Sequence, residues 1–402
     1  MAGTPGQWIT EAAAWATASS KETGSGTRVP NQHLALGAEE ARRTSADWES
    51  GTSMAKQLGA GIVGMGWAAG EHFKAYQRNP NSRMVGVCSR TPEGARAKLA
   101  ALRAEVDTSG VKVYDSYEHM LADPEVQVVS ICTPPSQHAN QVVAAAQAGK
   151  HLCIEKAAAL NLPDLRRMQA AVKQAGVKTA VCFECHYNPQ VVTIKRMLEL
   201  GLIGDIYSVE SDYYHGIGPW YRQWEWNVTV EEGTSALLSA GCHALDLVLY
   251  FAGGEVTEVA SFAGYSPNNP LQYRYPPHST TILRFDNGVL GKCAASVDYR
   301  GPYYFPFEIQ GETGCIRDNR FYSTKLGGQK AMAEIPTIML DSGDVTHHPY
   351  EEEITDLIDC MLEDRCHPVD LEYAARVHEV IFAADRAAAE GRVVRMGEIR
   401  GL

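Results

Sequence analysis

The chain has 402 residues, of which 45% are hydrophobic and 21% are charged, and its formal net charge at neutral pH is -12. A chain of this length is too long to fold around one ordinary hydrophobic core, so we predict two domains. An acidic chain without clustered Lys and Arg lacks the surface that binds nucleic acid or an anionic membrane. There is no apolar run of about 18 residues to cross a membrane and no secretory signal, so we expect a cytoplasmic protein.

The first 56 residues are rich in Ala, Thr, Ser, Gly and Glu and show no strand periodicity. This composition predicts a disordered extension. Because Met54 stands just before the first predicted strand, an alternative is that the natural start is Met54. The ten cysteines are scattered, several of them inside apolar runs, and are interpreted as reduced and structural.

Residues 57–183 alternate between apolar strand patterns and helix patterns. The predicted strands are 58–63, 83–88, 127–132, 151–155 and 178–183, and the predicted helices are 67–79, 92–106, 136–149 and 162–175. Apolar strands that alternate with helices are typical of a parallel sheet. We therefore predict an N-terminal Rossmann domain of the α/β class.

Residues 184–402 follow a different pattern, in which strands come in succession with short turns. Helices are predicted at 189–200, 234–251, 350–362 and 370–391, and strands at 206–214, 255–263, 279–285, 289–297 and 305–310. Successive strands separated by Gly-containing turns favour antiparallel pairing. This region is predicted to be an α+β domain with a large, mostly antiparallel open sheet that binds substrate and mediates oligomerisation.

A glycine-rich turn joins the first strand to the first helix. Gly64 and Gly66 permit a tight turn and the close approach of a diphosphate, Trp67 opens the helix, and Ala69 allows close packing of helix on strand. This context predicts a dinucleotide site. His72, one helical turn further on, is interpreted as a surface histidine.

The second strand ends without the carboxylate that would hold the ribose 2′-hydroxyl of NAD. Ser89 and Arg90 stand there instead. A hydroxyl and a guanidinium suit a 2′-phosphate, so NADP is slightly favoured over NAD.

Lys156 follows the strand predicted at 151–155. Open α/β sheets bind their ligands outside the carboxyl ends of the strands, so this ammonium is a catalytic candidate.

Several motifs in order resemble the Gfo/Idh/MocA family of sugar and polyol oxidoreductases. They are the 64–69 turn, Cys132-Thr133-Pro134-Pro135-x-x-His138, Glu155-Lys156, and Gly241-Cys242-His243-Ala244-Leu245-Asp246. The resemblance covers residues 58 to about 395. It implies a Rossmann domain followed by an open-sheet domain, and a homodimer or homotetramer formed through the faces of that sheet.

The resemblance also implies functional residues. Thr133, Pro134, His138 and Glu155 are expected to contact the cofactor. Lys156 is expected beside the nicotinamide and the reacting hydroxyl, and His243 is expected to exchange the hydroxyl proton. Such a pair suits oxidation of a carbinol, because its proton must reach a base while a cation stabilises the oxyanion.

Two positions depart from the family pattern. Ala157 replaces the usual proline after the lysine, and we expect a trans peptide bond there because a cis bond to a non-proline residue costs about 2.5 to 4 kcal/mol. Ser239 replaces an aspartate four residues before His243, on the same face of a helix. Serine can orient the imidazole but cannot stabilise its cation, so Glu184, Asp246 and His215 are alternative partners for His243.

Substrate residues are expected in two segments. The resemblance implies that residues 184–188, with Glu184 and His186, lie near the substrate cleft. A loop at 213–224 carries Tyr214, His215 and Arg222 among several aromatics, a mixture that binds sugar rings. A buried aromatic cluster or a subunit contact is the alternative for that loop. His347-His348 is a weaker candidate for the same cleft.

Cys182-x-x-Cys185-His186 matches the spacing of c-type haem attachment. Its place at the end of a predicted sheet strand, without an export signal, argues against haem, and no metal centre is expected.

Three functions remain open from the residues and the resemblance. The first is an NAD(P)-dependent dehydrogenase that moves a hydride between the nicotinamide and a secondary hydroxyl of a sugar, glycoside or cyclitol. The second is a redox-neutral lyase or epimerase that retains its NAD. The third is a non-catalytic nucleotide-sensing regulator.

Overall fold

A computed structural model describes residues 57–221 and 223–401, apart from the side chains of residues 343 and 344. The predicted extension, Met54 and Arg222 lie outside the described residues.

The first half of the described chain builds a six-stranded sheet. Its strands are β1 (Leu58–Val63), β2 (Ser82–Cys88), β3 (Lys112–Tyr114), β4 (Val128–Ile131), β5 (His151–Ile154) and β6 (Thr179–Val181). The order is β3-β2-β1-β4-β5-β6, and all neighbours are parallel. The predicted Rossmann architecture is confirmed, with a topological switch point between β1 and β4, where such sheets bind ligands.

Helices connect these strands. They are α1 (Trp67–Arg78), α2 (Pro92–Leu102), α3 (Tyr117–Ala122), α4 (His138–Gln147) and α5 (Leu162–Ala175). The ends of α5 illustrate the local rules, because the Asn161 side chain accepts the Asp164 N–H and Gly176 closes the helix at φ 66°.

The second half builds a ten-stranded sheet. Its helices are α6 (Pro189–Glu199), α7 (Trp224–Asn227), α8 (Cys242–Ala252), α9 (Tyr350–Leu362), α10 (Leu371–Glu390) and α11 (Met396–Arg400). Its strands are β7 (Ile206–Ser211), β8 (Tyr213–Tyr214), β9 (Val256–Gly264), β10 (His278–Phe285), β11 (Leu290–Ser296), β12 (Phe307–Gly311), β13 (Gly314–Arg317), β14 (Arg320–Ser323), β15 (Ala333–Glu334) and β17 (Val394–Arg395), while β16 (Ser342–Val345) lies apart.

The path of the second sheet is β15-β14-β13-β12-β7-β11-β10-β9-β17, with β8 beside β11. Pairing is antiparallel except where β11 runs parallel to β7 and β8. The predicted mostly antiparallel sheet is confirmed. The strands β13 to β15 and β17 were not predicted, because runs of two to four residues are too short for an alternating pattern to be recognised.

One face of the second sheet packs on helices and the other is open. Side chains of β10 alternate between buried and exposed, and the buried set faces the core shared with α8 and α10. On the open face Phe262 is 78% exposed and Ile282 is 56% exposed.

The helix α9 returns to the first sheet. It packs against α1, and Arg78 pairs with Glu351 at 2.9 Å. This return brings the segment before α9 next to the carboxyl edge of the first sheet. Among the described residues, no helix is both long and apolar enough to span a membrane.

Candidate active site

The turn between β1 and α1 has the shape of a phosphate cradle. Gly64 has φ +87°, and a Cβ there would stand 2.4 Å from the Cys132 carbonyl oxygen, so a side chain is excluded. At Gly66, by contrast, no described atom lies within 4 Å of where a Cβ would be. No side chain caps the N-terminus of α1, and its first turn carries no acid. Open space beside uncapped N–H groups fits a diphosphate.

Three more predicted cofactor residues lie around this turn. Ala69 is fully buried and lets α1 pack on the sheet, while Trp67 is exposed and contacts the Tyr350 ring edge-on at 6.0 Å. Pro134 follows β4 and precedes a 3-10 helix of one turn, Pro135–Gln137.

The end of β2 carries the two residues expected to choose between NAD and NADP. Ser89 is half-buried, and Arg90 is exposed. Arg90 makes no hydrogen bond or ion pair with any residue of 57–221 or 223–401, so its guanidinium is available to an anion.

Lys156 stands two residues after the end of β5 and is half-buried. Its Nζ donates a hydrogen bond to the Ser239 carbonyl oxygen at 3.3 Å. The contact joins the carboxyl edge of the first sheet to the residues before α8, so the predicted catalytic lysine lies where the two halves of the described chain meet.

The Lys156–Ala157 peptide bond is cis, so the expectation of a trans bond was wrong. Tertiary contacts hold this segment on both sides. The Ala157 carbonyl lies 2.9 Å from His138 Nδ1, and the Ala158 N–H donates to His378 Nε2 at 3.0 Å. His378 Nδ1–H donates in turn to the Ala374 carbonyl. Local preference is thus outweighed by contacts that sequence spacing does not reveal.

Both ring nitrogens of His138 face backbone carbonyls, and its contact with the cofactor stays a prediction. Its side chain is fully enclosed, with Nδ1 at the Ala157 carbonyl and Nε2 2.8 Å from the Thr133 carbonyl. It therefore braces the turn after β4 against the segment after β5. Thr133 remains half-buried at that edge, and its hydroxyl donates to Gln141.

Glu155 also points inward. It is 7% exposed, its Oε1 lies 3.1 Å from His72 Nε2, and its Oε2 accepts the Lys156 N–H at 3.2 Å. His72 is fully buried, so its interpretation as a surface histidine was wrong: α9 covers this face of α1. Glu155 orients the backbone at Lys156 from beneath.

His243 occupies the first turn of α8 and is only 2% exposed. Burial lowers the pKa of His243 well below its ordinary value, and the nearby Lys156 ammonium and the rings of His348 and His186 lower it further. At neutral pH the imidazole is therefore neutral and able to accept a proton.

Glu184 is the carboxylate nearest to His243. Its Oε1 lies 3.8 Å from His243 Nε2 and accepts a hydrogen bond from His348 Nδ1–H at 2.6 Å. The Tyr303 hydroxyl lies 3.1 Å from the other nitrogen of His348. Glu184 Oε2 is buried without a hydrogen-bond partner in the described part of the chain. Hydrogen bonds therefore connect Tyr303, His348 and Glu184 in a relay that ends 3.8 Å from His243.

The other two proposed partners of His243 are engaged elsewhere. Asp246 accepts from His186 Nε2–H at 2.7 Å and from the Tyr373 hydroxyl at 2.6 Å. His215 Nδ1 lies 3.1 Å from the Tyr213 hydroxyl. His186, a predicted substrate residue, thus belongs to a buried network with Asp246.

Ser239 does not orient His243, because the backbone before α8 is not an α-helix. Residues Leu237–Gly241 form a π turn, which changes the angle between Ser239 and His243. The Ser239 hydroxyl meets the Tyr275 hydroxyl at 3.3 Å, and its carbonyl accepts from Lys156. Ser239 serves Lys156 rather than the histidine.

An aromatic cavity of about 520 Å³ lies beside the relay. Its lining includes His215, Trp220, Tyr221, Tyr299, Arg300 and Tyr303. The His215 ring lies 4.7 Å from that of Tyr303. Tyr214, also predicted to bind substrate, is not part of this lining: its hydroxyl donates to Asp212 at 3.1 Å and its ring stacks on Tyr304.

The prediction missed Tyr299, Arg300 and Tyr303. Their segment, Tyr299-Arg300-Gly301-Pro302-Tyr303, has the same mixture of aromatic, Arg, Gly and Pro residues as the 213–224 loop. That composition was the available signal.

Comparison with known proteins agrees with this geometry. Residues 58–183 match the family model of the Gfo/Idh/MocA oxidoreductase family, NAD-binding Rossmann fold, and residues 191–317 match the Gfo/Idh/MocA C-terminal domain. Levoglucosan dehydrogenase of Pseudarthrobacter phenanthrenivorans is 27% identical over 65% of this chain and 73% of its own. The NAD(+)-dependent scyllo-inositol 2-dehydrogenase of Bacillus subtilis is 27% identical over 65% of this chain and 74% of its own.

Solved structures share the fold. A levoglucosan dehydrogenase in complex with NADH has a TM-score of 0.75 at 23% identity, covering 85% of this chain and 99% of its own. The aldose-aldose oxidoreductase of Caulobacter crescentus, complexed with glycerol, has a TM-score of 0.72 at 22% identity, covering 85% of this chain and all of its own, 100%. With both family models matched in order and an NAD-binding Rossmann fold at its N-terminal side, the chain belongs to the Gfo/Idh/MocA oxidoreductase family.

Proposed function

We propose that the protein is an NAD(P)-dependent dehydrogenase that acts on a secondary hydroxyl of a sugar, glycoside or cyclitol. The observation that carries the proposal is the convergence of Lys156 and a neutral His243 at the carboxyl edge of the nucleotide-binding sheet. The names of the related dehydrogenases support the same substrate class.

The residues around the cradle fit a dinucleotide. The backbone at Gly64 and Gly66 and the first turn of α1 would hold the diphosphate, and Thr133 and Pro134 would flank the site. When bound, the nicotinamide supplies hydride chemistry at its ring carbon.

Lys156 provides positive charge at the reacting oxygen. An ammonium held by a backbone carbonyl costs little reorganisation when an alkoxide forms, so its electrostatic contribution is large. In a half-buried position this charge is less screened by water than on an open surface.

His243 accepts the hydroxyl proton at Nε2. Nδ1 faces the Cys185 sulfur at 3.9 Å, whereas Nε2 has no partner within hydrogen-bond distance in the described residues. Once protonated, Nε2–H would face Glu184 Oε1, whose negative charge stabilises the imidazolium. Glu184 takes the part that the family's aspartate plays at position 239.

The aromatic cavity supplies binding area for the rest of the substrate. Faces of Trp220, Tyr221 and Tyr303 cover C–H patches of a sugar ring, while His215 and Arg300 offer hydrogen bonds to its hydroxyls.

The test is the absorbance of NADH and NADPH during incubation of the full chain with a panel of aldoses, anhydrosugars and cyclitols. We expect turnover with at least one polyol, and Lys156→Met to lower kcat by about 10³-fold. Lys178→Met is the matched control and should keep full activity, because Lys178 forms an ion pair with the exposed Asp364. Absence of turnover throughout the panel would contradict the proposal.

The two alternative functions give different outcomes in the same experiment. A redox-neutral lyase or epimerase would purify with stoichiometric NAD(H) and form product without net consumption of free cofactor. A nucleotide-sensing regulator would bind cofactor and show no affinity for any polyol.

We further propose that NADP is preferred, because Arg90 is exposed at the end of β2. Arg90→Ala should reduce the NADP-to-NAD ratio of kcat/KM by about tenfold. Arg96→Ala, an exposed arginine of α2 paired with Glu93, is the control. An unchanged ratio would show that Arg90 does not bind the 2′-phosphate, and a wild-type ratio below one would contradict the NADP preference.

We also propose a homodimer or homotetramer formed through the open face of the second sheet. Phe262, Ile282 and Leu290 are exposed there, and paired strands place them on the same side. Contiguous exposed apolar residues mark interaction sites. Light scattering after gel filtration should give a lower mass for Phe262→Glu/Ile282→Glu, whereas Leu326→Glu, at an exposed leucine elsewhere, should keep the wild-type mass.

A further inference from the structure

A buried group of metal-ligand side chains lies beneath the Rossmann sheet, outside the site described above. His72 comes from α1, Cys153 from β5, Cys182 from the residue after β6, and Glu353 from α9. All four are buried, and none of them takes part in the proposed hydride transfer.

The spacing of the first three donor atoms matches a tetrahedral ion. Cys153 Sγ and Cys182 Sγ are 3.7 Å apart, Cys182 Sγ and His72 Nε2 are 3.6 Å apart, and all three atoms lie within 4.8 Å of one another. With Zn–S bonds of about 2.3 Å and Zn–N bonds of about 2.0 Å, tetrahedral angles require about 3.8 Å between sulfurs and about 3.5 Å between sulfur and nitrogen. The two distances that involve Cys182 meet this requirement, and the third, between Cys153 and His72, is at most 4.8 Å.

A second group fails the same geometric test. Glu184, Cys185 and His348 also lie close together, but Glu184 Oε1 and His348 Nδ1 are 2.6 Å apart. Two ligands of one tetrahedral ion stand about 3.3 Å apart, so this distance belongs to a hydrogen bond.

Glu353 is an independent indication of a missing partner. Both of its carboxylate oxygens are buried without a hydrogen-bond partner among the described residues. Because Glu353 is not within 4.8 Å of all three donor atoms, its carboxylate must turn toward the ion to become a ligand. It has no hydrogen bond to break among the described residues, so it can make that movement.

We propose that His72 Nε2, Cys153 Sγ and Cys182 Sγ bind Zn²⁺ at a structural site, and that the Glu353 side chain turns in to supply the fourth ligand. Two thiolates, an imidazole and a carboxylate are the donors that zinc prefers, and four protein ligands define a structural rather than a catalytic site. Zinc binds the sulfurs as thiolates and Glu353 as a carboxylate, so its affinity for the site rises with pH.

The surroundings of His72 suit this role. Its Nδ1 lies 2.9 Å from the Ser130 hydroxyl, which accepts the Nδ1–H and leaves Nε2 for the metal. Glu155 Oε1 lies 3.1 Å from His72 Nε2 and would give up this contact to the ion, while its Oε2 would keep the hydrogen bond from the Lys156 N–H.

Such an ion would tie together the helix that begins at the phosphate cradle, the strand that precedes Lys156, and the helix α9. The site therefore stabilises the relative positions of cofactor and lysine without touching either. It does not depend on the proposed substrate.

The test is the metal content of the full chain after expression in zinc-supplemented medium, brief treatment with chelator and gel filtration. Elemental analysis should find about one zinc per chain, and Cys153→Ala/Cys182→Ala should lower this content at least about tenfold. Cys293→Ala is the matched control, because Cys293 is an equally buried strand cysteine in the other sheet. Circular dichroism checks that each variant is folded.

Cobalt gives a readout on the wild-type chain alone, in case the double variant fails to fold. Protein refolded with Co²⁺ should show the intense visible bands of tetrahedral cobalt and the near-ultraviolet charge transfer of thiolate ligands. Wild-type protein without zinc and without cobalt bands would overturn the proposal. So would full metal retention in the double variant, or a Cys153–Cys182 disulfide found by mass spectrometry of the wild type.

Discussion

Two histidines within one site region, His186 and His243, differ in how tightly a carboxylate holds them. His186 donates to Asp246 at 2.7 Å, and the same carboxylate accepts from Tyr373 at 2.6 Å. His243 stands 3.8 Å from Glu184, beyond hydrogen-bond distance. The His186 ring is held by a hydrogen bond to Asp246, whereas the His243 ring makes no hydrogen bond to Glu184.

The difference separates a structural histidine from a reactive one. A carboxylate that already accepts two hydrogen bonds fixes the tautomer and orientation of His186. The gap beside His243 leaves Nε2 able to accept a proton, with a negative charge close enough to stabilise the product cation. Looser pairing is therefore the arrangement expected of a base that must change its protonation state.

The largest effects are expected when each of the two histidines is replaced by glutamine, which tests whether their roles differ. His243→Gln should lower kcat by about 10³-fold, because general-base catalysis is lost, with little change in the melting temperature. His186→Gln should lower the melting temperature and leave most of kcat. Steady-state kinetics and thermal unfolding of both variants measure this; equal losses of kcat would show that the two rings do not differ in role.

The next largest effect is expected at Asp246. Asp246→Ala leaves His186 and the Tyr373 hydroxyl buried without their acceptor, and should reduce the free energy of unfolding by about 3 to 4 kcal/mol. Urea unfolding measures the change. Asp205→Ala, at an exposed position, is the control and should stay within about 0.5 kcal/mol. A similarly small change at Asp246 would mean that its network is not fixed.

A third buried histidine, His378, is expected to make the free energy of unfolding depend on pH. Burial lowers the pKa of His378 from 6.5 to about 4, while its Nε2 accepts the Ala158 N–H. The unfolded chain therefore binds the proton first, and the stability from neutral His378 is fully present above pH 6.5 and lost as the pH falls toward 4. This difference corresponds to about 3 kcal/mol.

Unfolding free energies of the wild type and His378→Gln, measured from pH 7 to pH 4, test this contribution. The variant should lose less stability over that range, since glutamine does not titrate. His119→Gln, on the surface helix α3, should follow the wild type. Parallel curves for wild type and His378→Gln would contradict the assignment.

The smallest effect is expected at Glu184. Glu184→Gln keeps an acceptor for His348 but removes the charge that stabilises protonated His243, so kcat should fall by about tenfold with KM nearly unchanged. Glu312→Gln, at an exposed turn, is the control. A rise in KM with unchanged kcat would instead make Glu184 a substrate-binding residue.

The fold and the position of Lys156 were predictable because their signals are local. Gly64 and Gly66 stand between an apolar strand and a helix, and Lys156 closely follows a strand of a parallel sheet. Such patterns depend on the period of the backbone and on turn chemistry, which a single sequence carries.

The relay and the buried group were not predictable because they depend on contacts between distant segments. His348 reaches Glu184 across 164 positions, since α9 folds back on the first sheet. No residue type within Leu237–Gly241 marks a π turn. The sequence alone therefore predicts that Ser239 and His243 lie on one face of a regular α-helix. His72 follows a surface-like helix pattern and is buried only because α9 covers it.

The two glycines of the phosphate cradle, Gly64 and Gly66, differ in the space available for a side chain. Any Cβ at Gly64 would collide with backbone at 2.4 Å, whereas one at Gly66 would project into space that no described atom occupies within 4 Å. The methyl group of Gly66→Ala would thus leave the fold undisturbed and occupy only space that the dinucleotide needs. The variant would be folded but unable to bind the cofactor, and the other properties of the chain could be measured against it.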